Sequence, residues 1–407
     1  MPSSKSVAII GQGYVGLPLA YALCKAGYQV QGIDSDALRV RIVAEGKSPI
    51  EDVSDAQILE MITSGRFAIS QDISLISISE AVVICVPTPI DNDQVPDLTA
   101  LREAVTSVAQ SAKPGALIIN ESTSYPGTVR NLIFNIFKKI RPEEEFDFAC
   151  APERVDPGNK TWGHKNTPRL VGGLSERALA RAEVLYRDVC EEVVRVSSPE
   201  VAELAKLLEN SFRQVNIALV TEFARIAHKA SVDIHEVIDA AATKPYGFMK
   251  FVPSIGVGGH CIPVDPMYLS WFARENGLAT ELVDVAQKIN NSQPLKVADR
   301  AEELLGEKKG KILILGIGYK PKTGDTRESP SVEVLYLLRK RGHEVKWRDS
   351  FVKEFTGEKS HDSLLGFDLI IIAQSDSSYN SSEFISQDVK VLDCTGALRH
   401  ISGVFQL

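Results

Sequence analysis

Residues 6 to 34, SVAIIGQGYVGLPLAYALCKAGYQVQGID, decide the fold. SVAII reads as a buried strand, LPLAYALCKAG as an apolar helix ending at Gly27, and YQVQGID as a second strand ending in Asp34. Between strand and helix, GQGYVG places glycines at 11, 13 and 16. The first makes a tight turn, the second admits a pyrophosphate, and the third lets helix and strand approach. A pyrophosphate is expected at the helix N-terminus, where free N–H groups and the helix dipole favour negative charge. Asp34 is expected to accept from the adenosine ribose hydroxyls, and a carboxylate there repels a 2′-phosphate, so NAD is favoured over NADP.

Outward from this unit, AVVICVPTP (81–89), ALIINEST (116–123) and FDFACAPE (146–153) read as further strands that end in polar or proline-containing turns. Ligands bind at the carboxyl ends of strands in open α/β sheets, which makes Thr88, Ser122, Thr123 and Glu153 candidates by position. At 407 residues the chain is long enough for two or three domains, and 44% hydrophobic with 24% charged residues is the balance of a globular protein. A formal charge of −8 with no long Lys/Arg run argues against a general nucleic-acid or membrane-surface role. No apolar run is long enough to span a bilayer, and VAII is too short for the apolar core of a secretory leader. A cytoplasmic protein is expected. Its six cysteines lack metal-ligand spacing, so no metal is expected, and five of them read as core filler.

From Ser198 the texture changes. Ser198 is a helix N-cap, Pro199 suits the first helical position, and helix-compatible residues run to Ala230, about 45 Å of helix at 1.5 Å per residue. Such a helix links domains and offers a face to a second copy of the chain. Lys206 and Asn210 lie four apart on one of its faces. The C-terminal third then repeats the opening: KILILGIGYKP (311–321) matches SVAIIGQGYVG, SVEVLYLLRKRGHEVKWRD (331–349) matches the helix and second strand, and FDLIIIAQ answers AVVICVPT. In this copy Pro321 replaces the third glycine and the loop carries Lys320, Lys322 and Arg327. A nucleotide other than NAD is therefore expected there. The chain reads as α/β, two dinucleotide-type halves joined by a helical segment: residues 1–197, 198–296 and 297–407.

GVGGHCIPVDPMYL (256–269) sets Cys261 and Asp265 four residues apart in a turn of glycine and proline. Oxidising an alcohol to an acid takes two hydride transfers, and an aldehyde is a poor hydride donor until a nucleophile adds to it. A thiolate forms a thiohemiacetal and then a thioester that water opens. Gly256, Gly258 and Gly259 are expected to let the backbone approach a substrate closely. His260 is expected to point the other way from Cys261.

Taken together, GQGYVGLPLA, CVPTP, NEST, APERVDPG, ELAKLLEN, GVGGHCIPVDP and GYKPKTGDTRESP, in this order and spacing, resemble the nucleotide-sugar 6-dehydrogenases that act on UDP-glucose and UDP-N-acetylhexosamines. The resemblance covers essentially the whole chain. It implies two Rossmann-like domains around a central helix and an NAD-dependent four-electron oxidation of the sugar C6 alcohol, supplying sugars for surface polysaccharide. It implies that Cys261 is the nucleophile, that Lys206 stabilises oxyanions, and that Asn210 binds an oxyanion or water. Asp265 then lies near the attacking water, Thr123 in a water relay, and Glu153 near the reacting sugar. Cofactor contacts are expected from Gly11, Gly13, Tyr14, Val15, Gly16, Asp34, Arg39, Pro87, Thr88, Ser122, Thr123 and Arg327. Substrate contacts are expected from Glu153, Arg154, Val155, Lys206, Asn210, Gly256, Gly258, Gly259 and Lys320, with a homodimer or higher homo-oligomer through the central helix.

Two departures stand out. Pro157 falls where UDP-glucose enzymes carry a second glutamate, which moves that proton-transfer role to Asp156 or Glu153, and TKPYGFMKF (243–251) offers Lys244 and Lys250 but no arginine for a neighbouring site. Arg154-Val155 in place of a Phe-Leu pair, with Val264 in place of a lysine, resembles the UDP-N-acetylhexosamine enzymes, and TKPYGFM favours the gluco sugar. UDP-glucose 6-dehydrogenase is the alternative. A β-hydroxyacid dehydrogenase needs neither Cys261 nor a second nucleotide domain, and a non-catalytic NAD-binding protein has no use for Cys261, Lys206 and Asp265 together.

Overall fold

The computed structural model describes residues 5–91, 93–155, 159, 161–376 and 389–407, so Asp156 and Pro157 lie outside the described residues. The chain divides into two compact units, residues 1–208 with 267–276, and residues 209–266 with 277–407.

The first unit is built on one eight-stranded sheet. In chain order its strands are β1 (Ser6–Ile10), β2 (Gln29–Ile33), β3 (Phe67–Ser70), β4 (Ala81–Ile84), β5 (Leu117–Asn120), β6 (Asp147–Cys150), β7 (Arg169–Gly173) and β8 (Val193–Val196). Their spatial order is β3-β2-β1-β4-β5-β6-β7-β8, parallel throughout except for β6 against β7. The central strands are short, mostly apolar runs, SVAII, AVVI and LIIN, buried on both faces as parallel strands flanked by helices must be. The first helix, Gly16–Lys25, buries Leu17, Leu19, Ala20 and Leu23 against this sheet, each large side chain contributing roughly 1.5–3 kcal/mol by leaving water. Gly27, at φ +90°, turns the chain straight back into β2. The strands expected at 81–89, 116–123 and 146–153 end earlier than their sequence runs. The loops beyond those strand ends carry candidate site residues.

The central helix runs Pro199–Lys229, 31 residues, close to the expected span. One side of it stays uncovered: Val201, Leu204, Leu208, Phe212, Leu219, Phe223 and Ile226 are exposed at three-, four- and seven-residue spacing.

The second unit has a five-stranded parallel sheet of β9 (Lys311–Leu315), β10 (Glu344–Arg348), β13 (Leu369–Ile372), β14 (Lys390–Asp393) and β15 (Val404–Gln406), in the order β10-β9-β13-β14-β15. A two-stranded ribbon, β11 (Glu354–Phe355) and β12 (Glu358–Lys359), stands beside it. Helices Gln293–Leu305 and Pro330–Lys340 cover one face with Val297, Ala301, Val334 and Leu338. Among the described residues no helix is long and apolar enough to cross a membrane.

Candidate active site

In the first unit the three glycines of GQGYVG separate into two kinds. Gly11 sits at φ +92°, and a Cβ on it would run into the Cys85 carbonyl; a Cβ on Gly16 would meet the Gly11 carbonyl and Ile9. Gly11 is demanded by its left-handed turn against the end of β4, and Gly16 by the close approach of helix to strand. A Cβ on Gly13 would meet nothing within 4 Å. The second glycine of the fingerprint therefore keeps open space above the backbone, beside a helix N-terminus with no side-chain cap and no acidic residue in its first turn. Backbone donors, a positive dipole end and an unfilled cradle fit a pyrophosphate.

Asp34 is buried at the end of β2. Its Oδ2 accepts from the Gln12 backbone N–H at 2.7 Å and its Oδ1 from the Asp36 N–H at 2.9 Å, while Arg39 Nη1 lies 3.0 Å from Oδ2. Asp34 and Arg39 thus form one charged pair at the place expected for an adenosine ribose. Tyr14 donates to Glu51 at 3.0 Å, and Val15 caps the first helix by its backbone alone. Pro87 is exposed and Thr88 half-buried beyond β4, while Ser122 is buried and its hydroxyl donates to the Val86 carbonyl at 2.8 Å. Thr123, half-buried, follows it.

Glu153 is 8% exposed and fully committed. Oε1 accepts from the Arg154 and Val155 N–H groups at 2.6 and 2.7 Å, Oε2 accepts from Arg169 at 2.5 Å, and His164 Nδ1 lies 3.1 Å away. Burial alone pushes its pKa up, but Arg169 and His164 more than offset this and hold the carboxyl below its ordinary value. So placed, it is a poor proton donor. Arg169 also lies 3.6 Å from Glu121, its guanidinium is 5.2 Å from the Tyr186 ring centroid, and Tyr186 donates to Glu121. Burial raises the pKa of Glu121 despite Arg169. One buried cation therefore joins the loop after β5 to the loop after β6. Arg154 Nη1 donates to the Pro168 carbonyl at 2.9 Å.

Lys206 is buried in the central helix one turn after Glu203. Glu203 accepts from the Gly127 and Val129 N–H groups at 2.6 and 3.0 Å, and burial lifts its pKa to about 7.

In the second unit, Cys261 is the one exposed cysteine of the six; Cys24, Cys150, Cys190 and Cys394 are buried and Cys85 half-buried. Its carbonyl accepts from the Asp265 N–H at 2.8 Å, which makes residues 261–265 the opening turn of helix Asp265–Glu275. Asp265 is buried and Asn210 Nδ2 donates to its Oδ2 at 2.6 Å. Gln287 donates to the Pro263 carbonyl at 3.2 Å and itself accepts from Gln214. Partial burial and Arg327 push the His260 imidazole below its ordinary pKa.

The glycines ahead of Cys261 lie close against another part of the chain. A Cβ on Gly256 would meet Pro330, one on Gly258 would lie 2.7 Å from the Glu328 carbonyl, and one on Gly259 would lie 2.7 Å from Tyr319 Cε2. The close approach they permit is to the chain's own 319–330 loop. In that loop Lys322 and Glu328 hold φ of +64° and +50°, uncommon for side chains other than glycine and a mark of functional loops. Arg327 pairs with Asp325 at 2.7 Å and Lys320 is half-buried.

Sequence reasoning missed Arg169, Glu121, Tyr186, Glu203, Gln287 and Tyr319. A signal existed for the first of these. Glu121 and Glu153 each follow the end of a neighbouring strand, and two buried carboxylates require a cation.

Comparison with known proteins bears on the whole chain. The UDP-glucose/GDP-mannose dehydrogenase family is matched by its NAD binding domain over residues 5–190, its central domain over 200–292 and its UDP binding domain over 313–400. A UDP-N-acetyl-D-mannosamine dehydrogenase of Pyrococcus horikoshii is 35% identical over 92% of this chain and 90% of its own length. A UDP-N-acetyl-D-glucosamine 6-dehydrogenase of Pseudomonas aeruginosa is 31% identical over 85% of this chain and 83% of its own length. A solved UDP-D-ManNAc dehydrogenase from Pyrococcus horikoshii superposes with a TM-score of 0.87 at 33% identity, covering 96% of this chain and 95% of that one.

Proposed function

The chain belongs to the UDP-glucose/GDP-mannose dehydrogenase family, and from that premise we propose that it oxidises a UDP-N-acetylhexosamine at C6 to the uronic acid through covalent intermediates on Cys261. The NAD-binding domain of the family lies in residues 5–190. NAD, when bound, supplies the hydride acceptor for both two-electron steps. The Gly13 backbone and the first helix's N-terminus would hold its pyrophosphate, and Asp34 with Arg39 the adenosine ribose. Pro87, Thr88, Ser122 and Thr123, on the loops after β4 and β5, would line the rest.

The chemistry falls to few groups. The Cys261 thiolate adds to the C6 aldehyde, and Lys206 and Asn210 offset the oxyanion charge that develops. Asp265, fixed by Asn210, accepts a proton from the water that opens the thioester, with Thr123 in its relay. Glu153 holds the 153–155 turn, Arg154 and Val155 included, against the sugar rather than carrying a proton. Lys320 serves the nucleotide and Arg327 a phosphate. The observation that carries this reading is Cys261 itself, an exposed thiol in a helix-opening turn whose aspartate is bonded to an amide of the central helix.

Between epimers, the manno sugar stands first, because the relative named for it is the more similar. The gluco sugar, favoured by TKPYGFM, is the second reading. The exposed apolar stripe of the central helix supports a homodimer or higher homo-oligomer, and the product uronate is supplied in the cytoplasm. The three segments 1–197, 198–296 and 297–407 then serve NAD, the covalent chemistry and UDP. Measuring kcat/KM for UDP-N-acetylmannosamine, its gluco and galacto epimers and UDP-glucose on one preparation tests the substrate. Preference for an N-acetyl sugar by about tenfold or more is expected from one or two acetamido contacts; equal or better turnover of UDP-glucose overturns it.

A further inference from the structure

We infer that Tyr319 is a positioning residue for the nucleophile, through which the nucleotide loop of the second unit sets the reactivity of Cys261. The inference rests on reading 319–330 as the loop that takes the UDP portion of the substrate. The turn leading to Cys261 has two supports. On its far side, Asn210 holds Asp265 and Gln287 holds the Pro263 carbonyl, so residues 263–265 are fixed by the helices. On its near side, Gly256, Gly258 and Gly259 are moulded around Tyr319, Glu328 and Pro330, and the three atoms nearest to a Gly259 Cβ all belong to the Tyr319 ring. Gly259 stands at φ +84°, two residues before the thiol, so a shift of that ring is passed to Cys261 through two peptide units.

Tyr319 is in turn fixed by the nucleotide loop. Its N–H donates to the Asp325 carbonyl at 2.9 Å, and its own carbonyl accepts from Gln374 at 3.3 Å. His260, beside the thiol, lies in the field of Arg327, Asp325 and Glu328 from the same loop. The loop's two left-handed side-chain positions, Lys322 and Glu328, flank Asp325 and Arg327. Such backbone strain is relieved or held according to what the loop binds. Ring volume, not the hydroxyl, makes the contact with Gly259, so phenylalanine preserves it and alanine leaves the turn unsupported.

The test alkylates Cys261 with iodoacetamide in the full-length protein, with and without saturating UDP, while UDP binding is followed separately by calorimetry. Wild type and Tyr319→Phe are expected to change their alkylation rate by threefold or more when UDP binds. Tyr319→Ala is expected to bind UDP and change its rate by less than 1.5-fold, with kcat lowered about tenfold and KM for NAD unchanged. Simple shielding of the thiol by UDP leaves the response intact in Tyr319→Ala, and that result overturns the inference. Should Tyr319→Ala bind no UDP, a double-mutant cycle of Gly259→Ala with Tyr319→Ala on kcat decides: coupling is expected because the atoms nearest to the added methyl are those of that ring, and additive losses overturn it. Failure of the wild type to bind UDP removes the functional reading instead.

Discussion

GQGYVG at 11–16 and GIGYKP at 316–321 open two strand-turn-helix units that diverge at the space above the second glycine. In both, the first glycine has a left-handed backbone, φ +92° at Gly11 and +88° at Gly316, because the chain must turn sharply off its strand. Above Gly13 there is open space, but a Cβ on Gly318 would lie 2.7 Å from the Thr323 carbonyl. The second loop folds back over its own glycine and fills the hollow that the first keeps open. Strand ends differ in the same way. Asp34 shares its carboxylate between two backbone N–H groups and the half-exposed Arg39. Asp349, its counterpart, accepts from four: Ile317 and Gly318 on one oxygen, Phe351 and Val352 on the other. A helix begins at Gly16 in the first copy and only at Pro330 in the second. One duplicated scaffold thus offers a dinucleotide cradle once, and once a closed turn followed by a loop that carries the cations Lys320 and Arg327.

The largest expected effect asks whether binding and chemistry are separate. Cys261→Ser should lower kcat on the order of a thousandfold or more while NAD and UDP still bind, because a hydroxyl is almost wholly protonated at neutral pH. Acid formation near the wild-type rate in that variant places the nucleophile elsewhere. The glycines sharpen the contrast further. Gly13→Ala should weaken NAD binding by about ten- to a hundredfold with little change in Tm, while Gly318→Ala should leave NAD binding alone and cost roughly 1–3 kcal/mol of stability by overpacking. Equal Tm losses in the two would erase the distinction.

The aspartates give a smaller split. Asp34→Ala should weaken NAD binding about tenfold and narrow the preference over NADP, as loss of one charge-assisted hydrogen bond and one repulsion implies. Asp349→Ala should leave NAD affinity unchanged and lower Tm, since four backbone donors lose their acceptor. The smallest effect is on pH. Burial raises Glu203 to about 7 from an ordinary 4.5, so its contribution to stability is fully present below 4.5 and is lost as pH rises through 7. From pH 6 to pH 7 the wild type should lose close to 1 kcal/mol that Glu203→Gln does not lose, a difference readable by denaturant titration of both proteins.

What was legible in the sequence was local. Glycine spacing, strand runs and the Pro199 helix start are set by neighbours in the chain, and the structure keeps them within a few residues. The repeat at 311–349 was legible for the same reason, down to Pro321 as the point of divergence. Contacts between distant segments were not legible. Arg169 reaches Glu153 and Glu121 across 16 and 48 positions through β7, a strand that runs antiparallel to β6 and that its short, glycine-ended sequence RLVGG does not advertise. The glycines at 256–259 signalled a close approach, but not that Tyr319 and Pro330 were what approached.

The central claim is that one thiol, that of Cys261, carries an alcohol to an acid without release. Counting NADH against uronate during turnover of UDP-N-acetylmannosamine, with free aldehyde trapped and quantified, tests it most directly. Two NADH per uronate and no trapped aldehyde are expected; a ratio of one with aldehyde accumulating would contradict it.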